Sequence, residues 1–170
     1  GLRIFCEYRD QRSFPLLLPL LDQPCPVERM SAVYALGRNP CPSAVQKLVS
    51  LLETDDNAYV RRATAWSLAN YDNQIVLKPL INALKNDVAA VRLWSSSSLA
   101  EIGNVSSKNA ELAAEQLLIS LKIDNESGVR SNCIWSLCRL FEKLDNTFQE
   151  CFVDECTKIA LFDKEPSVME

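Results

Sequence analysis

Seven cysteines are the most reactive side chains in this sequence, and their spacing does not describe a site. They are odd in number, no two stand as C-x-x-C, and the chain has no histidine that would complete a zinc site. A short secreted protein would instead carry a framework of paired cysteines. We interpret them as the reduced thiols of a cytoplasmic protein, packed as small hydrophobic groups: Cys6, Cys25, Cys41, Cys133, Cys138, Cys151 and Cys156.

The absence of histidine also removes the commonest general base and the nucleophilic triads built around it. The chain has 4 glycines, too few and too scattered for a glycine-rich loop that holds a phosphate. The sequence therefore predicts no catalytic residue, no metal site and no resident cofactor.

The charge and hydropathy of the chain exclude two further classes of partner. A net charge of −4 and a pI near 5.0 argue against nucleic-acid binding, which needs dense positive charge. The longest apolar run, Phe14 to Leu21, is interrupted by two prolines. It is also shorter than the roughly 20 residues of a membrane span. We predict no nucleic-acid partner and no membrane span.

A repeated pattern of paired helices runs through the chain and positions the remaining candidates. In each unit a first helix ends in an apolar pair, a turn rich in Asp and Asn follows, and a second helix begins. The predicted second helices start 32, 31, 38 and 39 residues apart, at Glu28, Val60, Val91, Val129 and Val168. The units cover approximately 1–13 (partial), 14–39, 43–73, 74–104, 111–144 and 149–170 (partial). The extra length of the later units lies in the polar stretches NVSSKNAE and DNTFQE, which we expect to form surface loops.

Numbering each second helix from its start as position 0 aligns one apolar stripe. At about 100° per residue, positions 0, 4, 8 and 11 share a narrow sector of the helix. Position 8 is leucine in four units: Leu36, Leu68, Leu99 and Leu137. A single helix pair cannot bury both of its faces, so adjacent pairs must stack. The sequence predicts one all-α domain over 1–170, a right-handed α-solenoid of antiparallel helix pairs, cut at both ends from a longer solenoid.

Two segments resemble a known kind of repeat. VRRATAWSLANY and VERMSAVYALGRN are similar to the short HEAT-like repeats of the phycobilisome lyase family, whose units follow V-R-x-x-A-x-x-A-L-G. The resemblance extends over nearly the whole chain. It implies a HEAT-like solenoid and one of several roles: attachment or removal of bilin pigments on phycobiliproteins, phycobilisome degradation, or scaffolding. The deoxyhypusine hydroxylases share the repeat pattern, but the His-Glu pairs that hold their iron are missing here.

An arginine occupies position 1 of four second helices, next to the acidic turns. A guanidinium can hold a carboxylate and a backbone carbonyl together. We predict that these arginines form a structural ladder between adjacent turns, with ligand binding as the alternative: Arg29, Arg61, Arg92 and Arg130.

Aromatic residues occur on the side of the second helices opposite the apolar stripe. Position 6 holds Tyr34, Trp66 and Trp135, and the neighbouring position 3 holds Trp94. We expect an exposed strip on the concave face of the solenoid, so Trp66→Ala and Trp135→Ala should each change stability by under about 0.5 kcal/mol. The alternative is that other parts of the protein cover the rings. Three arginines flank the strip, and Glu101 interrupts them: Arg38, Arg62 and Arg139.

Three functions are compatible with this strip. A protein partner, such as a phycobiliprotein subunit, docks on it, and the chain is a non-catalytic adaptor or assembly factor. Alternatively, the strip holds a transient bilin whose carboxylates meet the flanking arginines, as in a subunit of a phycobilin lyase. In that case Cys138 is a candidate for a transient thioether bond, with Arg139 lowering its pKa. The third possibility is a passive segment of a larger solenoid.

Overall fold

The protein was analysed as a computed structural model, which describes residues 10–72, 74–162 and 168. The partial unit expected at 1–13 lies mostly outside these residues, as does the second helix expected at 168, apart from Val168 itself. Short 3-10 turns lie at Gln11–Ser13, Leu18–Asp22, Pro42–Ala44, Gln74–Val76 and Phe141–Lys143. The α-helices are α1 (Phe14–Leu17), α2 (Pro26–Arg38), α3 (Val45–Thr54), α4 (Ala58–Leu68), α5 (Leu77–Asn86), α6 (Ala89–Gly103), α7 (Ser107–Ile123), α8 (Ser127–Leu140) and α9 (Asn146–Phe162).

The helices form two layers. The second helices α2, α4, α6 and α8 pack on one another in chain order, and each of α4, α6 and α8 also packs on the first helix that precedes it. The first helices α3, α5 and α7 form the other layer, because α5 contacts both of its neighbours. This arrangement confirms the predicted fold class, an all-α solenoid of antiparallel helix pairs.

The core lies between the layers, along the predicted stripe of the second helices. The leucines at position 8 are all 0% exposed: Leu36, Leu68, Leu99 and Leu137. Positions 0 and 4 are buried as well in the last three second helices, and position 11 is buried as Tyr71, Ile102 and Leu140. The 3.6-residue period of the apolar side chains therefore identified the buried face of each second helix.

The extra residues of the later units lie in helices, so the prediction of longer surface loops was wrong. Most of NVSSKNAE forms the first turns of α7, and most of DNTFQE forms the first turns of α9. The Ser106 side chain accepts a hydrogen bond from the Asn109 N–H at 3.2 Å, and the Asp145 carboxylate accepts one from the Phe148 N–H at 2.7 Å. These side chains cap the free N–H groups of a helix, so the polar residues begin a helix here.

Hydrogen bonds between the second helices fix their relative register. The Ser98 hydroxyl in α6 donates to the Ala65 carbonyl in α4 at 2.8 Å. One unit later, the Ser136 hydroxyl in α8 donates to the Ser96 carbonyl in α6 at 2.9 Å. Both bonds run from position 7 of one second helix to position 5 of the helix before it. The α4/α6 and α6/α8 steps therefore share one register.

Candidate functional site

The four arginines at position 1 lie at the edge of the solenoid formed by the inter-helix turns. Arg61 donates through Nε and a terminal nitrogen to both carboxylate oxygens of Asp87, at 2.8 and 2.7 Å. Its other terminal nitrogen donates to the Asp55 carbonyl at 2.7 Å. Arg29 pairs with Asp55 and Arg92 with Asp124 in the same two-pronged way. We call these three ion pairs the arginine ladder.

The fourth arginine repeats half of this pattern within the described residues. Arg130 donates to the Asp124 carbonyl at 2.9 Å, as Arg61 does to the Asp55 carbonyl. The acidic turn that would follow it, at Asp163, lies outside the described residues. In the described residues, Arg29, Arg61 and Arg92 each join two consecutive turns, which is the geometry expected of a structural ladder.

The ladder carboxylates have lowered pKa values. Partial burial acts to raise the pKa of Asp55, Asp87 and Asp124. Hydrogen bonds from the paired arginine and from a backbone N–H outweigh that effect, so the pKa of each carboxyl lies below its ordinary value. All three carboxylates are therefore charged at neutral pH, as a ladder of ion pairs needs.

Five of the predicted strip residues line one groove on the side of the second helices opposite the core. The groove has a volume of about 370 Å³ and crosses three consecutive second helices. Tyr34 and Trp66 form its aromatic floor, with ring centroids 5.4 Å apart and planes tilted by 54°. Trp94, which is 36% exposed, lines the groove as well. We call this the aromatic groove, and its lining residues are Tyr34, Arg38, Arg62, Trp66 and Trp94.

Both arginines of the groove are stacked on aromatic rings. The Arg38 guanidinium carbon lies 5.4 Å from the Trp66 ring centroid, and that of Arg62 lies 5.4 Å from the Tyr59 ring centroid. Such cation–π contacts hold a guanidinium in place while leaving its N–H groups available. The Nε of Arg62 is buried and has no hydrogen-bond partner within the described part of the chain. A buried N–H without an acceptor is costly.

The remaining two strip residues lie apart from the groove. Trp135 is 46% exposed on α8, and the Arg139 guanidinium carbon lies 4.9 Å from its ring centroid. Arg139 also forms an ion pair with Glu101 at 2.9 Å. The predicted strip residues therefore form two groups, the aromatic groove and a Trp135–Arg139–Glu101 cluster outside its lining.

Trp66 is less exposed than its helical position predicted. Its ring is half-buried because it lies against Gly37 of α2 as well as against Tyr34. A helical wheel treats each helix alone and does not register a glycine in the neighbouring helix. Tyr59 was missed in the sequence analysis for another reason. Tyr59 lies one residue before position 0, and a side chain at that place points to the aromatic side of the helix. It is 64% exposed. Extending the wheel one residue backwards would have found it.

The cysteines do not form a reactive site in the described residues. Burial raises the pKa of Cys138, and Arg139, expected to lower it, is stacked on Trp135 and paired with Glu101. Burial raises the pKa of Cys133 to about 12. Cys6 lies outside the described residues. Neither thiol environment favours the thiolate that a thioether bond would need.

The described residues contain no cluster suited to a metal ion and no membrane-spanning helix. No group of three or more His, Cys, Asp or Glu side chains is placed to hold a metal ion in this part of the chain. Among residues 10–72, 74–162 and 168, none of the helices has the length and apolar character needed to cross a bilayer.

The stacked pairs, the ladder and the groove define a helical-repeat solenoid with an aromatic groove on its second helices. Residues 2–69 and 45–138 match the family of HEAT repeats, and the chain belongs to that family. No curated protein matches the chain.

One solved structure is similar to almost the whole chain. It is the complex of CpcE and CpcF of phycocyanin lyase from Nostoc sp. PCC7120, with 22% sequence identity and a TM-score of 0.73. The similarity covers 94% of this chain and 95% of the other. The resemblance seen in the sequence is thus confirmed as a shared fold with a phycobilisome lyase.

Proposed function

We propose that this protein is a subunit of a phycobilin lyase and that its aromatic groove holds the bilin during attachment or removal. The groove joins a flat apolar lining to two guanidinium groups, and this combination carries the proposal. A tetrapyrrole offers matching chemistry, since it is a conjugated, largely flat molecule with two propionate carboxylates. The fold shared with a phycocyanin lyase supports the same function.

Arg62 is the residue expected to recognise a carboxylate. Its ring contact with Tyr59 holds the guanidinium, and its unpartnered Nε lacks an acceptor among the described residues. Arg38 lies over the Trp66 ring in the same groove and would take the second carboxylate. A hydrogen bond to a charged group contributes about 1.5–3 kcal/mol, which corresponds to about 10- to 100-fold in affinity.

The groove binds and orients the pigment in this proposal, and the attacking thiol comes from the phycobiliprotein. The described residues of the groove offer aromatic rings and arginines rather than a general base. A flat ligand in a groove of about 370 Å³ would be partly enclosed, since ligand pockets usually span about 300–1,000 Å³. The exposed remainder of the pigment would be accessible to an acceptor cysteine.

The test is a titration of the purified protein with phycocyanobilin, followed by absorption spectra and tryptophan quenching. Arg62→Gln should weaken binding at least about 10-fold. Arg139→Gln is the matched control, because Arg139 also lies over an aromatic ring but is outside the groove. Unchanged spectra and unquenched fluorescence with the unmodified protein would refute pigment binding.

A second candidate function is a non-catalytic solenoid that binds a protein partner, such as a phycobiliprotein subunit. The observation that favours it is the width of the aromatic side, because Tyr59 and Trp135 are exposed beyond the groove lining. Large, rigid aromatic side chains are typical anchors of protein interfaces. The test is a pull-down with phycobiliprotein subunits. If the protein interface includes Trp135, Trp135→Ala would abolish capture. If binding is confined to the aromatic groove, Trp135→Ala would leave capture intact.

A further inference from the structure

The Trp66 indole packs on α2 where that helix carries a glycine. A Cβ atom added at Gly37 would lie 2.6 Å from Cζ3 of Trp66 and 2.9 Å from the Ser67 hydroxyl oxygen. It would also lie 3.2 Å from the Ser67 Cα, which belongs to the backbone of α4. Because interiors are close-packed, even one methyl group at this position would displace the indole and strain the α2/α4 contact.

The chain contains a second tryptophan in the same register, with alanine in place of glycine. Gly37 is position 9 of α2, and Trp66 is position 6 of the next second helix, α4. Ala100 is position 9 of α6, and Trp135 is position 6 of the next second helix, α8. Trp135 stands 46% exposed, whereas Trp66 is half-buried against Tyr34.

The hydrogen bonds of the stack bring the part of α8 that contains Trp135 next to the part of α6 that contains Ala100. Ser136, which follows Trp135, donates to the Ser96 carbonyl at 2.9 Å, one helical turn before Ala100. Ala100 itself is 0% exposed, so side chains of neighbouring helices cover it. The α2/α4 and α6/α8 pairs therefore differ by one methyl group at position 9 of their first member, which is Gly37 in α2 and Ala100 in α6.

We propose that the residue at position 9 of a second helix determines the placement of the indole at position 6 of the next second helix. With glycine at position 9 the indole packs against the preceding helix, and with a larger residue it projects into solvent. Gly37 is thereby the positioning residue of the aromatic groove. It lets the Trp66 ring lie back on α2, against Tyr34, and this placement leaves the space between Trp66 and Trp94 open. A side chain at residue 37 would move the ring away from α2 and narrow that space.

The test uses the full chain without ligand and tryptophan fluorescence as the readout. In a background of Trp94→Phe and Trp135→Phe, Trp66 is the reporter. Gly37→Ala should shift its emission to the red and raise acrylamide quenching about two-fold, because an overpacked ring is displaced toward solvent. Gly128→Ala is the matched control, since its added Cβ would lie 3.6 Å from a Leu93 methyl carbon, an ordinary contact.

The reciprocal variant tests the same rule without crowding the structure. In a background of Trp66→Phe and Trp94→Phe, Ala100→Gly should lower the quenching of Trp135 and shift its emission to the blue. A folded Gly37→Ala variant with the same Trp66 quenching as Gly128→Ala would overturn the proposal. If Gly37→Ala does not fold, an unchanged Trp135 signal in Ala100→Gly overturns it, and a protected Trp135 supports it.

The consequence for ligand binding rests on the proposed function and is measured separately. With all tryptophans present, Gly37→Ala should weaken phycocyanobilin binding at least about 10-fold, and Gly128→Ala should not. If the unmodified protein binds no pigment, the proposed function fails, while the fluorescence of the ligand-free variants still decides the role of Gly37.

Discussion

Replacing Asp87 by Asn should destabilise the protein by about 2–3 kcal/mol, because it breaks a partly buried rung of the arginine ladder. The Arg61 and Asp87 side chains are 18% and 12% exposed. Breaking a buried ion pair costs about 3–5 kcal/mol, and an exposed pair contributes about 0–1 kcal/mol. The substitution keeps the size of the side chain but turns an amide group towards the Arg61 guanidinium. The expected loss lies between the two limits.

The assay is thermal unfolding followed by circular dichroism. For a chain of this length, 1 kcal/mol corresponds to about 2–4 °C, so the melting temperature should fall by about 5–10 °C. Asp22→Asn is the control, since Asp22 is 65% exposed and pairs with Lys47 at the surface. Its melting temperature should stay within about 2 °C of the unmodified protein. Equal melting temperatures for the two variants would refute the role given to the ladder.

Three further predictions follow from burial and charge. The ladder carboxylates have folded-state pKa values below the unfolded value of about 3.9. Their contribution to stability is therefore complete above about pH 5, and it is lost as the pH falls through the folded-state pKa values. Melting temperatures should therefore be flat from pH 7 to about pH 5 and drop below about pH 4; a decline that begins near pH 6 would contradict this assignment. In chemical denaturation, Leu137→Ala should lower the free energy of unfolding by about 2–5 kcal/mol and Trp135→Ala by under about 0.5 kcal/mol. Similar losses for the two variants would mean that the buried and exposed faces of α8 are misassigned. Cys25 and Cys138 are both exposed, but desolvation raises the pKa of Cys138. Cys138 should therefore react with iodoacetamide more slowly than Cys25 at pH 7.5, measured by peptide mass spectrometry; faster reaction at Cys138 would restore it as a nucleophile.

Trp66→Ala shows how the structure changes an expectation drawn from one helix. Its position on the wheel predicts a loss under about 0.5 kcal/mol, like that of Trp135→Ala. The ring instead contacts α2 and Tyr34, so the variant loses packing that Trp135→Ala does not. Its effect should exceed that of Trp135→Ala in the same denaturation experiment.

The fold was predictable because it depends on short-range regularities. The spacing of Val60, Leu68 and Tyr71 already defines a buried face, and the same spacing recurs at Val91, Leu99 and Ile102. A solenoid repeats one local arrangement, so a correct description of one unit carries over to the next. Long-range contacts add little to the architecture beyond that repetition.

The site was predictable only in part because it depends on contacts between units. The wheel placed Trp94 and Trp135 on one side of the second helices, but it contained nothing that would separate them. Trp94 lines the groove. Trp135 instead lies outside it beside Arg139, which pairs with Glu101 of α6. The loop prediction failed at Ser106 and Asp145 for a local reason, since a polar residue that caps a helix looks the same in sequence as one that ends a loop.

The ladder and the aromatic groove depend on the same spacing of second helices. The groove is lined by residues of α2, α4 and α6. Its width therefore depends on the spacing between α2 and α4 and on that between α4 and α6. The ladder connects consecutive turns along these same units, and Ser98 ties α6 to α4 on the inside. A groove carried on flexible loops would have to be ordered by its ligand at a cost in affinity, whereas one built on braced helices is formed in advance. Under the proposed function, the arginines at position 1 would therefore contribute to binding without touching the ligand, through the rigidity of the helices that hold the rings apart.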